Sequence, residues 1–191
     1  MHHDLPLPAL QLCLALGGVG PGATAGSYVA VGAFDPGIEV WNLDVVHALE
    51  PAAVLGGADT RGAEERWRRT QGAGGRGRGE ERKRRPPRRG GAPGLREGSH
   101  GAAVLRLGWN AVHAQVLASG SADGTVKLWD VARAGGPDAR PASTLAHHAG
   151  KVASLAWHHA EGALLATGGY DCRVGLVDAR AADGGSAKRG M

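Results

Sequence analysis

The feature that most constrains the fold of this 191-residue chain is an internal repeat. Segments 27–43, 115–131 and 163–179 align without gaps. Four aligned columns hold the same or closely similar residues: Ala30, Ala118 and Ala166; Gly32, Gly120 and Gly168; Asp35, Asp123 and Asp171; Ile38, Val126 and Val174. Self-similarity at a fixed spacing of tens of residues is typical of repeat architectures. We therefore expect repeated structural units that stack on one another.

The second and third segments also share the residues that precede them. Four residues before the second segment recur 48 positions later, before the third: His100, Val104, Leu107 and Trp109 correspond to His148, Val152, Leu155 and Trp157. Short alternating runs at 104–107, 116–119 and 125–129 favour strands with one buried face. The Asp123-Gly124 pair suits the tight turn of a hairpin between the predicted strands at 116–119 and 125–129.

Composition supports an all-β fold. The 33 glycines argue against a helical bundle, because each glycine in a helix interior costs about 1 kcal/mol. No run of about 18 apolar residues predicts a transmembrane helix. Two cysteines form no disulfide framework and favour a reducing compartment. The apolar stretch 5–16 lacks a positive flank, so we expect no secretory signal.

At this point a resemblance can be stated. The stretch GSH…LASGSADGTVKLWD, with Ser99-His100 at its start and Trp129-Asp130 at its end, resembles a WD repeat. The next unit is degenerate, with His147-His148 and Val177-Asp178 in those places. The segment SYVAVGAFDPGIEVWNLDVVHALEP, the basic insert after it and the lead-in AAVLRLGWN closely resemble the periodic tryptophan protein 1 family. This likeness extends over roughly residues 1–60 and 98–180.

The resemblance implies a fragment of a WD-repeat β-propeller, about two and a half blades of four-stranded antiparallel sheet. We expect a partial blade at 1–60, a disordered basic insert at 61–97, a WD repeat at 98–133, a degenerate repeat at 134–180 and a flexible tail at 181–191. A closed propeller needs at least four blades, so we expect the chain to be a fragment or a truncated form.

In the WD pattern a His, a Ser or Thr, an Asp and a Trp form one hydrogen-bonded chain, which we call the tetrad. The resemblance implies two tetrads here: His100, Ser119 or Ser121, Asp123 and Trp129; and His148, Thr167 and Asp171 with Val177 in the Trp place. Because Val177 cannot donate a hydrogen bond, we expect the second tetrad to lack its last donor and its blade to be looser.

The same residue types could suggest a hydrolase or a metal site. A catalytic triad is disfavoured, since the set recurs in a second copy and the stretch Ser119-Gly120-Ser121 lacks the first glycine of a nucleophile elbow. Adjacent histidines on a strand point to opposite faces and cannot easily bind one ion. We assign no catalytic residue, no metal ligand and no cofactor.

The charge of the chain is divided between two regions. Residues 61–96 hold 13 Lys and Arg against 4 Asp and Glu, a net of +9, while the rest of the chain carries −5. Without a periodic apolar face this insert is expected to be disordered. A basic cluster in it could direct nuclear localisation or contact nucleic acid: Arg82, Lys83, Arg84, Arg85, Arg88 and Arg89.

Three interpretations of the insert stay open. It is a solvated linker, a nuclear or nucleolar localisation signal, or an RNA contact made through its Arg-Gly run. Trp67 is its one aromatic residue, so base stacking is not supported.

The family resemblance implies a non-enzymatic scaffold for protein–protein interaction. Its expected place is the nucleus, and within it the nucleolus, in ribosome biogenesis (rRNA transcription or processing) or on chromatin. The implied partners are ribosome-assembly factors or histones, with RNA as a further partner of the insert. We expect neither membrane binding nor a small-molecule substrate. The alternative is an RNA-binding protein that acts through the Arg-rich insert.

Overall fold

The structure is a computed structural model that describes Leu7 and residues 10–59, 94–134 and 139–184. These residues form antiparallel strands joined by turns and three short 3₁₀ segments at Pro21–Ala23, Val131–Arg133 and Ala179–Gly184. The strands are β1 Gln11–Val19, β2 Ala25–Ala33, β3 Gly37–Asn42, β4 Ala53–Gly56, β5 Val104–Trp109, β6 Val116–Ser121, β7 Val126–Asp130, β8 Ser143–Leu145, β9 Val152–Trp157, β10 Leu164–Gly169 and β11 Val174–Asp178.

The strands form three sheets, which we call the first, second and third blades. Strands β1–β4 make the first blade and β5–β8 the second, each paired in chain order, while β9–β11 make a three-stranded third blade. The predicted all-β propeller fragment is thus confirmed. Within the described residues no helix is long and apolar enough to cross a membrane.

Strand pairing follows the register of the repeat. Val31 pairs with Glu39 in the first blade, Ser119 with Lys127 in the second, and Thr167 with Gly175 in the third. The aligned columns of the sequence are therefore equivalent positions in space.

The first blade has more strands than its repeat segment indicated. Segment 27–43 spans β2, β3 and the turn between them, and β1 comes before it. Residues of β1 alternate between exposed and half-buried along the strand. A strand that packs one face against the rest of the protein shows this two-residue period.

The apolar core lies between the blades. One cluster joins the first blade to the second and includes Ile38, Val40, Leu117 and Trp129. A second cluster joins the second blade to the third, and there Val126 and Leu128 meet Leu165. Each blade is stabilised by burying a face against its neighbour, as in repeat proteins generally.

The two ends of the expected basic insert lie side by side. Ala58 forms a β-bridge with Leu95, and the backbone N–H of Arg96 donates to the Gly57 carbonyl at 2.9 Å. The chain therefore leaves the first blade and returns toward the second at one place. The six basic residues at 82–89 lie outside the described residues.

Candidate functional site

The tetrad of the second blade is assembled from four separate places in the blade. His100 precedes β5, Ser119 lies within β6, Asp123 lies in the turn after it, and Trp129 lies in β7. Gly124 completes the turn with a φ of +82°, a left-handed conformation that glycine adopts at little cost. The hairpin thereby brings the carboxylate of Asp123 to the side of the blade where His100 lies.

These four side chains form one continuous chain of hydrogen bonds. The indole N–H of Trp129 donates to the Ser119 Oγ at 2.8 Å. The same oxygen lies 2.7 Å from His100 Nε2, and His100 Nδ1 lies 3.2 Å from Asp123 Oδ2. His100 and Ser119 are fully buried, so water cannot replace these partners.

Burial and charge determine the protonation of this chain. Burial lowers the pKa of His100 to about 4, although the neighbouring Asp123 acts in the opposite direction. The ring is therefore neutral at pH 7, and with its proton on Nδ1 it donates to Asp123. Its Nε2 then accepts the Ser119 hydroxyl proton, and Ser119 accepts from Trp129.

Asp123 is held in place by further donors. Burial tends to raise the pKa of Asp123, but hydrogen bonds from Thr125 and Gly101 outweigh it and hold the pKa below its ordinary value. The Thr125 hydroxyl donates to Oδ1 at 2.6 Å, and the Gly101 N–H donates to Oδ2 at 2.8 Å. Thr125 Oγ1 also lies 3.1 Å from His100 Nδ1. The sequence analysis did not single out Thr125.

Ser121, the other serine considered for the tetrad, lies outside the chain of hydrogen bonds. Its hydroxyl donates to the Ala102 carbonyl at 3.2 Å and accepts from the Asp123 N–H at 3.2 Å. Ser121 thus stabilises the turn, and Ser119 is the hydroxyl that connects His100 to Trp129.

The third blade repeats the inner part of this arrangement. His148 Nδ1 lies 3.1 Å from both carboxylate oxygens of Asp171, and His148 Nε2 lies 2.9 Å from Thr167 Oγ1. The Ala149 N–H donates to Asp171 Oδ2 at 3.0 Å and, as the largest contribution, lowers the pKa of Asp171.

At the outer end of this tetrad the structure differs from the sequence expectation. The Val177 side chain has no N–H to offer, but His147 Nε2 lies 2.7 Å from Thr167 Oγ1, where the indole N–H stands in the second blade. Burial and the adjacent His148 lower the pKa of His147. A neutral His147 with its proton on Nε2 therefore donates to Thr167, and its Nδ1 is buried without a partner. The second tetrad does not lack its last donor.

Gly175 makes room for this substitute donor. A Cβ at position 175 would lie 2.7 Å from both His147 Nε2 and Thr167 Oγ1. The equivalent residue of the second blade is Lys127, whose ammonium donates to Thr144 Oγ1 at 3.1 Å. Two features of the sequence could have identified His147. It stands directly before His148, and Gly175 occupies the position that Lys127 has in the second blade.

In the first blade the indole N–H of the equivalent tryptophan has a different acceptor. Val31 occupies the position of Ser119 and offers no hydroxyl. The Trp41 indole N–H instead donates to Glu39 Oε2 at 3.0 Å, and Glu39 stands in the column of Lys127 and Gly175. In each blade the side-chain N–H at this position therefore has an acceptor. Trp129 donates to Ser119, His147 donates to Thr167, and Trp41 donates to Glu39.

The arrangement in the second and third blades is suited to support rather than to catalysis. The Ser119 hydroxyl is buried and engaged by two nitrogens, so it cannot reach a substrate carbonyl. Burial raises the pKa of the Cys13 thiol to about 11, which makes it a poor nucleophile. Among the residues that the structure describes, no three His, Cys, Asp or Glu side chains are grouped to bind a metal ion.

Comparison with known proteins agrees with this geometry. The family "WD domain, G-beta repeat" (WD40) matches residues 96–130 and 139–178, which are the segments that hold the two tetrads.

Several curated proteins are similar in sequence. Periodic tryptophan protein 1 of Saccharomyces cerevisiae is 37% identical over 69% of this chain, and its homologue in Drosophila melanogaster is 34% identical over 68%. An uncharacterized WD repeat-containing protein of Schizosaccharomyces pombe is 35% identical over 69%. The matched region is 20%, 22% and 22% of these three relatives, so the chain spans about a fifth of their length.

Solved structures show the fold. The RRP9 WD40 repeats align with 93% of this chain at a TM-score of 0.54 and 16% identity, covering 38% of that chain. A chain of ctPRC2 in complex with H3K27me3 and H3K27M aligns with 88% at 0.57 and 14% identity, covering 25% of that chain. The chain therefore contains WD40 repeats, has the fold of a partial β-propeller and is homologous to a segment of periodic tryptophan protein 1.

Proposed function

We propose that this chain is a non-enzymatic scaffold for protein–protein interaction in the nucleus, acting in nucleolar ribosome biogenesis or on chromatin. Its partners are ribosome-assembly factors or histones. The resemblance to the periodic tryptophan protein 1 family implies this place and this class of partner, and the 34% and 37% identity to two relatives of that name supports the resemblance. The fold supports the scaffold role, because propellers present their loops on a rigid framework.

The observation that carries the scaffold role is the saturation of the tetrad in the second blade. Every polar atom of the Trp129–Ser119–His100 chain that lies in the interior has a partner inside the blade. A saturated buried network makes a framework rigid, and it leaves no group poised for a substrate. The residues that resemble a catalytic triad therefore hold the blade together.

Affinity capture tests this proposal. A tagged chain is expressed at low level in cells, and bound proteins are identified before and after nuclease treatment. We expect nuclear ribosome-assembly factors or histones that stay bound after nuclease. Recovery of the same proteins by a chain carrying His100→Ala, with its second blade disrupted, would overturn a role for the folded scaffold.

The second candidate is RNA binding through the basic insert, which the net charge of +9 over residues 61–96 favours. Two variants separate it from the scaffold: deletion of residues 61–93, and replacement of the six basic residues at 82–89 by Gln. Loss of RNA affinity in both, with nuclear accumulation unchanged, would favour RNA contact. Loss of nuclear accumulation alone would favour a localisation signal.

A further inference from the structure

The tetrad of the third blade differs from that of the second in placing two imidazoles on one hydroxyl. Thr167 Oγ1 lies 2.7 Å from His147 Nε2 and 2.9 Å from His148 Nε2, and the centroids of the two rings are 4.4 Å apart. A hydroxyl has one proton, so Thr167 donates to one ring and accepts from the other. His148 carries its proton on Nδ1, which faces Asp171, so its Nε2 accepts from Thr167. His147 therefore donates to Thr167 from Nε2.

The other ring nitrogen of His147, Nδ1, is poorly placed to take up a second proton. It is buried, and no described residue offers it a partner. Three residues face the ring: His148 beside it, Thr167 from β10 and Asp171 from the turn between β10 and β11. From β11, Gly175 approaches the ring without a side chain. Burial and His148 outweigh the attraction of Asp171 and lower the pKa of His147.

The carboxylate that faces His147 is already engaged by other donors. Asp171 accepts from His148 Nδ1, from the Ala149 N–H at 3.0 Å and from the Arg173 N–H at 3.2 Å. A proton on His147 Nδ1 would therefore be a buried donor without an acceptor, and it would place a positive charge against the ring of His148. Both effects disfavour the protonated ring in its present position.

The second tetrad has no equivalent response to acid. Its last donor is the Trp129 indole, which does not titrate, and its imidazole, His100, is fully buried. Burial lowers the pKa of His100 to about 4, so this ring stays neutral in the folded chain between pH 7 and 5. His147 is only half-buried, which gives its ring a short path to water. Of the three imidazoles in the two tetrads, His147 is therefore the one that can leave its position on protonation.

The loop that carries His147, residues 147–150, lies on the second blade. A Cβ at Gly124, in the turn of the second tetrad, would lie 3.3 Å from the His148 carbonyl oxygen and 3.2 Å from that of Gly150. The Tyr170 N–H donates to the Lys151 carbonyl at 2.9 Å and so connects the end of this loop to the turn before β11. Displacement of the His147 ring therefore acts on the place where the second and third blades meet.

We propose that His147 is a proton-sensitive switch in the third blade: in mildly acidic solution its Nδ1 takes up a proton from solvent, the ring leaves Thr167 for water, and the loop 147–150 loosens from the second blade. His148 stays between Thr167 and Asp171, so the inner triad is kept. A proton binds the open position more tightly than the closed one. The open population therefore rises as the pH falls below 6.5, the ordinary pKa of histidine.

Hydrogen exchange of the full chain, compared at pH 7.0 and pH 5.5, tests the proposal. The readout is the amides of residues 147–151 and of Tyr170, which exchange through local opening, after correction for the intrinsic effect of pH. Their exchange is expected to rise by about three- to tenfold at the lower pH. Tenfold is the upper bound, because a histidine of ordinary pKa is protonated over neutral by about ten to one at pH 5.5.

His147→Gln separates the proton from the hydrogen bond. Gln keeps a side-chain N–H for Thr167 and does not titrate. This variant is expected to keep the exchange rates of pH 7.0 and to reduce the acid response to less than about twofold. His159→Gln is the matched control, because His159 is exposed in the loop between β9 and β10. It is expected to leave the acid response unchanged.

Nitrogen NMR of the imidazoles in the unsubstituted chain gives a test that does not depend on the folding of a variant. At pH 7.0 we expect His147 to be neutral with its proton on Nε2. A proton on Nδ1 instead would overturn the proposal, as would loop exchange that is constant between pH 7.0 and 5.5. An acid response that persists in His147→Gln would overturn it as well and would assign the response to His148.

Discussion

The second and third blades hold the same inner triad of histidine, hydroxyl and carboxylate but end it differently. In the second blade the last donor is the Trp129 indole, and in the third it is the His147 imidazole. The indole comes from β7, whereas His147 precedes β9 and reaches the hydroxyl from the other end of the repeat. What the site requires is a buried N–H beside the hydroxyl, because a buried oxygen without its partners is costly.

The two tetrads also differ in their surroundings. The second blade lies between two others, and both of its faces are covered. In the third blade Val174 and Leu176, on the face turned away from the second blade, are 82% and 61% exposed. An identical hydrogen bond is therefore worth more in the second blade, where water is better excluded.

The largest expected effect comes from removing the central imidazole of each tetrad. His100→Ala removes the fully buried ring that accepts from Ser119 and donates to Asp123, and it is expected to lower the free energy of unfolding by about 3–4 kcal/mol. His148→Ala is expected to cost about 1–2 kcal/mol, because His148 is 8% exposed rather than fully buried and the third blade is packed against a neighbour on one face only. Urea unfolding followed by circular dichroism measures both. Equal losses would contradict the distinction between the blades.

The pH dependence of stability sharpens the same comparison. The pKa of His100 falls from 6.5 in the unfolded chain to about 4 in the folded one. Its contribution is therefore complete above pH 6.5 and is lost as the pH falls to 4, because protons bind the unfolded state preferentially. The loss amounts to about 3 kcal/mol at most.

Urea unfolding at pH 7, 6, 5 and 4 measures this loss, and His113→Gln, at an exposed histidine of the second blade, is the matched control. Stability that is constant between pH 7 and 4 would show that His100 is not held neutral by burial.

An exchange of donors tests whether His147 replaces the missing tryptophan. Val177→Trp alone brings an indole into the space that His147 occupies and is expected to cost about 1–3 kcal/mol through overpacking. His147→Ser introduces the residue found at the equivalent position, Ser99. The double variant is expected to recover at least half of that loss, since the indole then donates to Thr167. Additive costs in this double-mutant cycle would refute the exchange.

The smallest expected effect concerns the support of the carboxylate. Thr125 donates its hydroxyl to Asp123, whereas the equivalent residue beside Asp171 is Arg173, which offers its backbone N–H. Thr125→Val is expected to cost about 1 kcal/mol, and Arg173→Thr to stabilise the third blade by up to about 1 kcal/mol. Thermal unfolding of both variants measures the difference. If Arg173→Thr destabilises the chain, the two turns are not interchangeable.

The repeat made much of the fold predictable from residues alone. A spacing of 48 residues with matched Gly, Asp and apolar columns predicts the strands and the hairpin turns of the second and third blades, and the structure has them. Strand β1 was harder to predict, because the residues that precede segment 27–43 do not align with those that precede the other two segments. The repeated columns placed His100 with His148 and Asp123 with Asp171, and it was the resemblance to the WD repeat that implied hydrogen bonds among these residues.

The sequence by itself determined the class of fold and the register of the repeated columns, among them His100 with His148 and Asp123 with Asp171. These depend on local periodicity and on the spacing of like residues, both of which are visible along the chain. Only the tertiary structure decided that Ser119 rather than Ser121 completes the tetrad, and that His147 fills the place left by Val177. Those choices depend on which atoms approach each other in space across a hairpin. A residue such as His147, which has no counterpart of its type in the other repeat, can then supply the donor.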